Sequence, residues 1–206
     1  VREYVLEEVL KNYDVNRSSQ YIIKPSDDES TLLYFGPAWD FDLSMGGWFY
    51  DASNAHIASP KRMLASATNG WLAKLYQHRV FYERVLTMYY EEMVPYLRAL
   101  TGLEPDGETV PLMERYEKLK DSAAMNFTRW PILSSVDPVN TGLTYQANIE
   151  YLNDWLIKRM AYLDTVWLQD YEKLKKTGSD STADSRRGGS GIFHCVRFWQ
   201  SRRRFR

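Results

Sequence analysis

The sequence predicts a mainly α fold with one small β-hairpin, an α+β chain in which helices dominate. Three observations lead there. Apolar residues recur at about 3.6-residue spacing in long stretches after Gly70. A shorter stripe of the same kind, Val1, Val5 and Val9, opens the chain. Between them two short apolar runs flank a polar turn, as the strands of a hairpin do.

Val1, Tyr4, Val5, Leu6, Val9 and Leu10 predict an amphipathic helix that stops near Asn12, where Asn, Asp and Ser favour caps and turns. Gln20 to Lys24 and Thr31 to Phe35 predict two strands joined by Pro25-Ser26-Asp27-Asp28-Glu29-Ser30. Gly46 to Asn69 reads as loop. Trp71, Leu72, Leu75, Phe81, Val85, Met88, Tyr89 and Met93 predict one long helix ending near Pro95. A second runs from Pro111 to Phe127 and ends at Trp130-Pro131, with a loop over Ser134 to Gly142. A third covers Tyr145 to Lys175, with Ile149, Leu152, Leu156, Met160, Leu163 and Trp167 on its inner face.

Composition divides the chain in two. The 206 residues carry a formal net charge of −1, but residues 1–174 hold 17 basic against 25 acidic side chains, whereas 175–206 hold nine against two. The first part, rich in Trp and Tyr, has enough apolar content for one domain with a sizeable core. The second, with Arg186-Arg187-Gly188-Gly189 and Arg202-Arg203-Arg204, reads as a basic, disordered tail. Such a tail could touch nucleic-acid phosphates, but a solvated tail is the stronger reading. No apolar run of about 18 residues is present to span a membrane. His56, His78 and His194 are scattered and Cys195 is the single cysteine, so no zinc spacing exists.

The chemistry concentrates in two polar clusters. Asn12-Tyr13-Asp14-Val15-Asn16-Arg17-Ser18-Ser19 follows the first helix, and Trp39-Asp40-Phe41-Asp42-Leu43 precedes Gly46-Gly47. Alternate side chains of an extended strand share a face, so Asp40 and Asp42 can point together and offer hard oxygens to a cation such as Mg²⁺. A blander reading has Asp42 capping the next turn, Asp40 pairing with an arginine and Asp14 serving as a turn residue. Trp48, Phe49 and Tyr50 fit core packing better than a substrate cleft. The order helix, Asp14, a five-residue step to Ser19, hairpin, Asp40 matches the layout of kinase-type phosphoryl transfer: an aspartate near the substrate hydroxyl, a metal ligand five residues on, and a metal-holding aspartate after a hairpin.

These residues carry a family resemblance. Asn12-Tyr13-Asp14, Arg17-Ser18-Ser19, Tyr21 and Lys24, then Gly36-Pro37 and Trp39-Asp40-Phe41-Asp42-Leu43 with Gly46, resemble the spore-coat CotH kinase family. These are atypical protein-kinase-like proteins of bacteria and some eukaryotes. Trp71 to Leu75, Phe81, Val85, Tyr151-Leu152, Trp155-Leu156 and Arg159 are similar to its helical end, so the resemblance covers about residues 1–172. It implies the helical C-lobe of an atypical kinase-like fold, with ATP and Mg²⁺ (or Mn²⁺) as cofactors and protein Ser/Thr as substrate. It matches Asp14 to the catalytic aspartate, Asp40 to the metal-binding aspartate and Ser19 to the second metal position, and it includes Asp42 in the motif either as a further metal ligand or as a support of the loop. Ser19 stands where many members have Asn, and a neutral hydroxyl is the weaker ligand.

No strand-rich segment with a phosphate-binding lysine precedes Asp14, and the first residue is Val. The expectation is therefore a catalytic-lobe portion that is inactive alone, from a parent that could act at the cell surface or be secreted. Two other functions compete. One is a non-catalytic surface or coat protein that uses the fold to bind a partner. The other is a sugar hydrolase built on Asp40 and Asp42, since glycosidase carboxyls stand about 5–9 Å apart. Nothing else in the sequence supports the hydrolase.

Overall fold

Helix α1 (Arg2–Leu10) is where the packing begins. Tyr4, Val5 and Val9 are buried as the stripe predicts, and each apolar side chain removed from water contributes about 1.5–3 kcal/mol. Glu7 and Glu8 are buried just as completely, at 0% exposure. The helix is thus enclosed on more than its apolar stripe, which the spacing of its valines does not reveal.

The structure, a computed structural model, describes residues 1–16, 18–47, 55–133 and 144–183. The aromatic run Trp48–Tyr50, the loop expected over Ser134 to Gly142, Cys195 and the arginine-rich stretches lie outside the described residues. A 3-10 turn, Tyr13–Asn16, follows α1. Strands β1 (Ile22–Ile23) and β2 (Tyr34–Phe35) pair antiparallel, Ile22 opposite Phe35 and Ile23 opposite Tyr34. The hairpin exists, but only two residues of each expected strand join the ladder. All four side chains are exposed or half-exposed, so no core face holds a longer pairing in register.

The remainder is helical: α2 (Ala55–Ala58), α3 (Ala65–Thr68), α4 (Gly70–Tyr76), α5 (Arg79–Met88), a π-helical turn Tyr89–Met93, α6 (Val94–Leu100), α7 (Leu112–Arg129) and α8 (Tyr145–Ala183). Two expectations are corrected here. The loop between Gly46 and Asn69 contains the short helices α2 and α3. The single helix expected from Gly70 to Pro95 is interrupted at Gln77-His78, where His78 takes an extended conformation and starts α5. The chain does not stop at Pro95, which occupies the first turn of α6. A proline costs little there because that N–H has no intrahelical partner, and the preceding π-helical turn takes up the change in register.

Helix α8 supplies the other half of the core. Trp155, Leu156, Met160, Leu163 and Trp167 are buried at helical spacing, with Trp167 edge-on to Tyr89 at 4.9 Å between ring centroids. Tyr4 of α1 stacks on Tyr76 at 5.4 Å and meets Phe81 edge-on at 5.5 Å. Helix α7 buries no residue completely; its inner stripe meets α8 through Tyr116 and Phe127, whose rings lie 5.6 and 6.0 Å from Tyr145. The chain divides into two compact units, Val1–Glu172 and Lys173–Arg206. Of the second, the described part continues α8 to Ala183, beyond Lys176 where the composition changes. Among the described residues no helix is long and apolar enough to cross a membrane.

Three charged side chains hold this core together. Arg159, at 0% exposure, donates Nε to the Val9 carbonyl at 3.2 Å and Nη1 to the carbonyls of Pro60 and Arg62 at 2.9 and 2.7 Å. Its Nη2 donates to the Glu8 carbonyl at 2.6 Å and to Glu8 Oε1 at 3.1 Å. Glu8 also accepts the Leu64 and Ser66 backbone N–H groups at 2.7 and 2.8 Å and the Ser66 hydroxyl at 2.9 Å. Lys11 ends α1 in the left-handed conformation, φ 55°, and gives Nζ to the carbonyls of His56, Ser59 and Lys61 at 3.0, 2.7 and 2.9 Å. An ammonium has three donors, and here each has an acceptor. Burial, followed by the nearby Arg159, pulls Lys11 down to about 7. The segment 56–66, poor in regular structure, is in effect pinned by its own backbone to the end of α1.

Gly46 shows how tightly the acid-bearing loop is seated. Its φ is +85°, and a Cβ there would fall 2.8 Å from Trp155 Cδ1 and 2.9 Å from Nε1, and against the Tyr151 hydroxyl. Trp155 cannot swing away freely, because its Nε1 donates to the Ala58 carbonyl at 2.7 Å. Gly46→Ala is expected to destabilise the fold by about 2–4 kcal/mol, combining left-handed strain with overpacking. Chemical denaturation checks it; a change under about 0.5 kcal/mol would mean the loop is free to shift off α8.

Candidate metal centre

Two loops bring the acidic residues together, and backbone hydrogen bonds tie the loops to each other. Tyr13 N–H donates to the Leu43 carbonyl at 3.2 Å, and Met45 N–H donates to the Leu10 carbonyl at 2.7 Å. These two bonds clamp the segment after α1 to the segment after β2. Asp14 lies in the 3-10 turn between them, half-buried. Its N–H is received by Asn12 Oδ1 at 3.2 Å, an Asx turn that fixes the start of the loop. The Ser18 and Ser19 N–H groups close back on the Asp14 carbonyl at 3.2 and 3.4 Å.

Asp40 is not in a strand. Its φ is +62°, and the extended alternation expected of Asp40 and Asp42 is replaced by a left-handed residue followed by a turn. Asp tolerates this conformation better than most residues. The outcome is the same convergence by another route. One carboxylate oxygen each from Asp14, Asp40 and Asp42 lies within 4.8 Å of the others. Ser19, only 2% exposed, donates Oγ to Asp40 Oδ2 at 3.2 Å. Asp42 Oδ1 accepts the Leu43 N–H at 3.0 Å, so it caps the turn and joins the cluster at once.

All four residues singled out from the sequence therefore meet. Ser19 does so through Asp40: its hydroxyl braces the carboxylate. Phe41 lies half-buried between the aspartates, with Leu43 buried beyond it. Gly46-Gly47, which read as a turn beside a cation site, has a packing role. A Cβ on Gly47 would fall 2.5 Å from the Asp42 carbonyl, so the chain folds back directly beneath Asp42.

Two carboxylates about 4.8 Å apart repel by about 1 kcal/mol in water and about 3.5 kcal/mol at an effective dielectric constant of about 20. Three such groups converging from two clamped loops make a set of hard anionic oxygens, the donor chemistry that suits Mg²⁺ or Mn²⁺ rather than a soft metal. Asp40 and Asp42 are exposed, which leaves the cluster open to solvent and to a ligand.

Asn69 is a support that motif reading passes over. Its Oδ1 accepts the Trp71 and Leu72 N–H groups at 3.1 and 3.0 Å, capping α4, while Nδ2 donates to the Val15 carbonyl at 2.7 Å. One side chain thus starts a helix and fixes the residue after Asp14. An Asn-Gly pair opening an apolar helix is the capping signal in the sequence; the bond to Val15 has none.

The family model described as CotH kinase protein matches residues 1–163. The chain belongs to the CotH kinase family. The CotH match contains Asp14, Ser19, Asp40 and Asp42 together with Arg159, so the acid cluster and its scaffold fall inside one family region. Comparison with curated proteins and with solved structures gave no significant match.

Proposed function

We propose that the chain carries the metal-holding and substrate-activating part of an ATP-dependent protein kinase that phosphorylates Ser or Thr side chains. One observation carries the reading: the carboxylates of Asp14, Asp40 and Asp42 converge within 4.8 Å, on the two loops that kinase chemistry uses for its base and its metal. Membership of the CotH kinase family supports it.

Each residue then has a task. Asp14 accepts the proton of the substrate hydroxyl as that oxygen bonds to the γ-phosphorus and the bond from phosphorus to the bridging oxygen of ADP breaks. Asp40 and Asp42 hold the cation, and Ser19 keeps the Asp40 carboxylate oriented. A Mg²⁺ or Mn²⁺ bound there would neutralise charge on the phosphate oxygens. The exposure of Asp40 and Asp42 gives a phosphate group access.

Thermal unfolding with nucleotide tests the proposal. At tenfold excess over its Kd, Mg-ATP should stabilise the chain by about 1.4 kcal/mol, a shift of about 3–6 °C for a protein of this size. The shift should vanish with EDTA. Radiolabel transfer from γ-labelled ATP to a dephosphorylated protein substrate reads the chemistry. A stabilisation indifferent to Mg²⁺ would overturn the proposal and favour a kinase-like fold that binds a partner without catalysis.

A further inference from the structure

The loop that carries Asp14 and Ser19 is held by a side chain outside both acid-bearing segments. Asn69, 9% exposed, stands between α3 and α4 and divides its amide between two tasks. Oδ1 caps α4 by accepting the Trp71 and Leu72 N–H groups. Nδ2 donates to the Val15 carbonyl at 2.7 Å and, at the longer distance of 3.4 Å, to Gln20 Oε1. Val15 follows Asp14 and Gln20 follows Ser19, so one nitrogen meets the loop just beyond each of these residues. The Gln20 carboxamide leans on this contact, since its Nε2 is buried with no partner among the described residues.

Bond lengths show which contact holds the loop. The Ser18 and Ser19 N–H groups reach the Asp14 carbonyl at 3.2 and 3.4 Å, and the Asp14 N–H reaches Asn12 Oδ1 at 3.2 Å. These lie at the long end for N–H···O bonds, whereas the 2.7 Å bond from Asn69 lies at the short end. Val15 is 2% exposed, and a buried carbonyl that loses its donor has no bulk water to replace it. The support behind Asn69 is equally fixed. Glu8 accepts the Leu64 and Ser66 N–H groups at the start of α3, and the Asn69 N–H donates to the Ala65 carbonyl at 3.1 Å. Capping alone does not call for asparagine, because Ser and Asp cap a helix about as well. Asn differs from both in carrying a donor nitrogen beside its capping oxygen.

We propose that Asn69 is a positioning residue for the acid cluster, acting through Nδ2: it sets where the Asp14 carboxylate and the Ser19 hydroxyl behind Asp40 stand. Its effect on cation affinity rests on the reading of Asp14, Asp40 and Asp42 as a cation site; its hold on the loop does not.

Asn69→Ser separates the two tasks, because serine keeps a capping oxygen but is too short to reach Val15. The test is amide hydrogen exchange of the whole chain beside a Mn²⁺ titration. In Asn69→Ser, exchange at Ser18 and Ser19 should rise about tenfold, the equivalent of one lost hydrogen bond. Trp71 and Leu72, which report the cap, and Leu163 in the core should change by less than about threefold. Mn²⁺ affinity should fall several-fold. Asn69→Asp, which keeps the cap but turns an acceptor toward the Val15 carbonyl, should loosen the loop at least as much, and it carries the comparison if the serine variant does not fold. Unchanged exchange at Ser18 and Ser19, a rise matched at Trp71, Leu72 and Leu163, or a loosened loop with unaltered Mn²⁺ affinity overturns the proposal. A wild type that binds no Mn²⁺ would instead sink the cation reading, and the exchange rates alone would then decide whether Asn69 holds the loop.

Discussion

Arg159→Met is expected to cost about 3–5 kcal/mol of folding stability, the scale measured when one partner of a buried ion pair is removed. The reasoning is local. The guanidinium satisfies the carbonyls of Glu8, Val9, Pro60 and Arg62 and pairs with Glu8 Oε1, the one ion pair of Glu8 among the described residues. Methionine fills most of the volume but donates nothing. Four carbonyls lose a donor, and Glu8 keeps a charge that two backbone N–H groups and the hydroxyls of Ser66 and Tyr4 only partly compensate. Against a total of about 5–15 kcal/mol, that loss brings the fold near its limit. Urea denaturation measures it, and Glu8→Gln combined with Arg159→Met should recover part of the loss by removing the orphaned charge. A single-variant cost below about 1 kcal/mol would show that the 56–66 segment is held by something other than Arg159.

The second large effect concerns Asp40. Asp40→Asn should weaken Mn²⁺ binding by on the order of 100-fold, because outer partners of metal ligands alone are worth 10–100-fold and Asp40 would be a direct ligand. The fold should survive, since Asp40 is exposed and Asn also adopts left-handed φ. Ser19→Ala should cost less, about tenfold, by freeing the Asp40 carboxylate to rotate. Calorimetric titration at fixed pH ranks the two. Equal losses would place Ser19 on the cation itself rather than behind Asp40.

Much of this was legible from the residues. Helical spacing located α1 and the inner face of α8, because each must bury a stripe and Trp155, Leu156, Met160, Leu163 and Trp167 recur with the helical period, while Pro111 and Trp130-Pro131 marked the ends of α7. The acid cluster was legible for another reason: Asp14, Ser19, Asp40 and Asp42 belong to short motifs at a separation that leaves room for one hairpin. What stayed hidden depends on contacts distant in sequence. The burial of Glu8, Lys11 and Arg159 leaves no mark in the helical spacing and is set by residues 56–66 folding over them. The break at His78 was missed because the apolar period runs through it, and the continuation past Pro95 because a proline reads as a helix stop, whereas here it occupies the first turn of α6. Asp40 was expected in a strand, but it has a positive φ in a loop that the Tyr13–Leu43 hydrogen bond ties to the segment after α1.

Asp14, Asp40 and Asp42 are proposed to form one divalent-cation site. Paramagnetic broadening by Mn²⁺ tests it most directly, since the effect falls steeply with distance and needs no substrate. At sub-stoichiometric Mn²⁺ the signals of Asp14, Ser19, Asp40 and Leu43 should disappear first, and excess Mg²⁺ should restore them. Broadening confined to other exposed acidic stretches, such as Asp27 to Glu29 or Glu104 to Glu108, with residues 14, 19, 40 and 43 untouched, would contradict it.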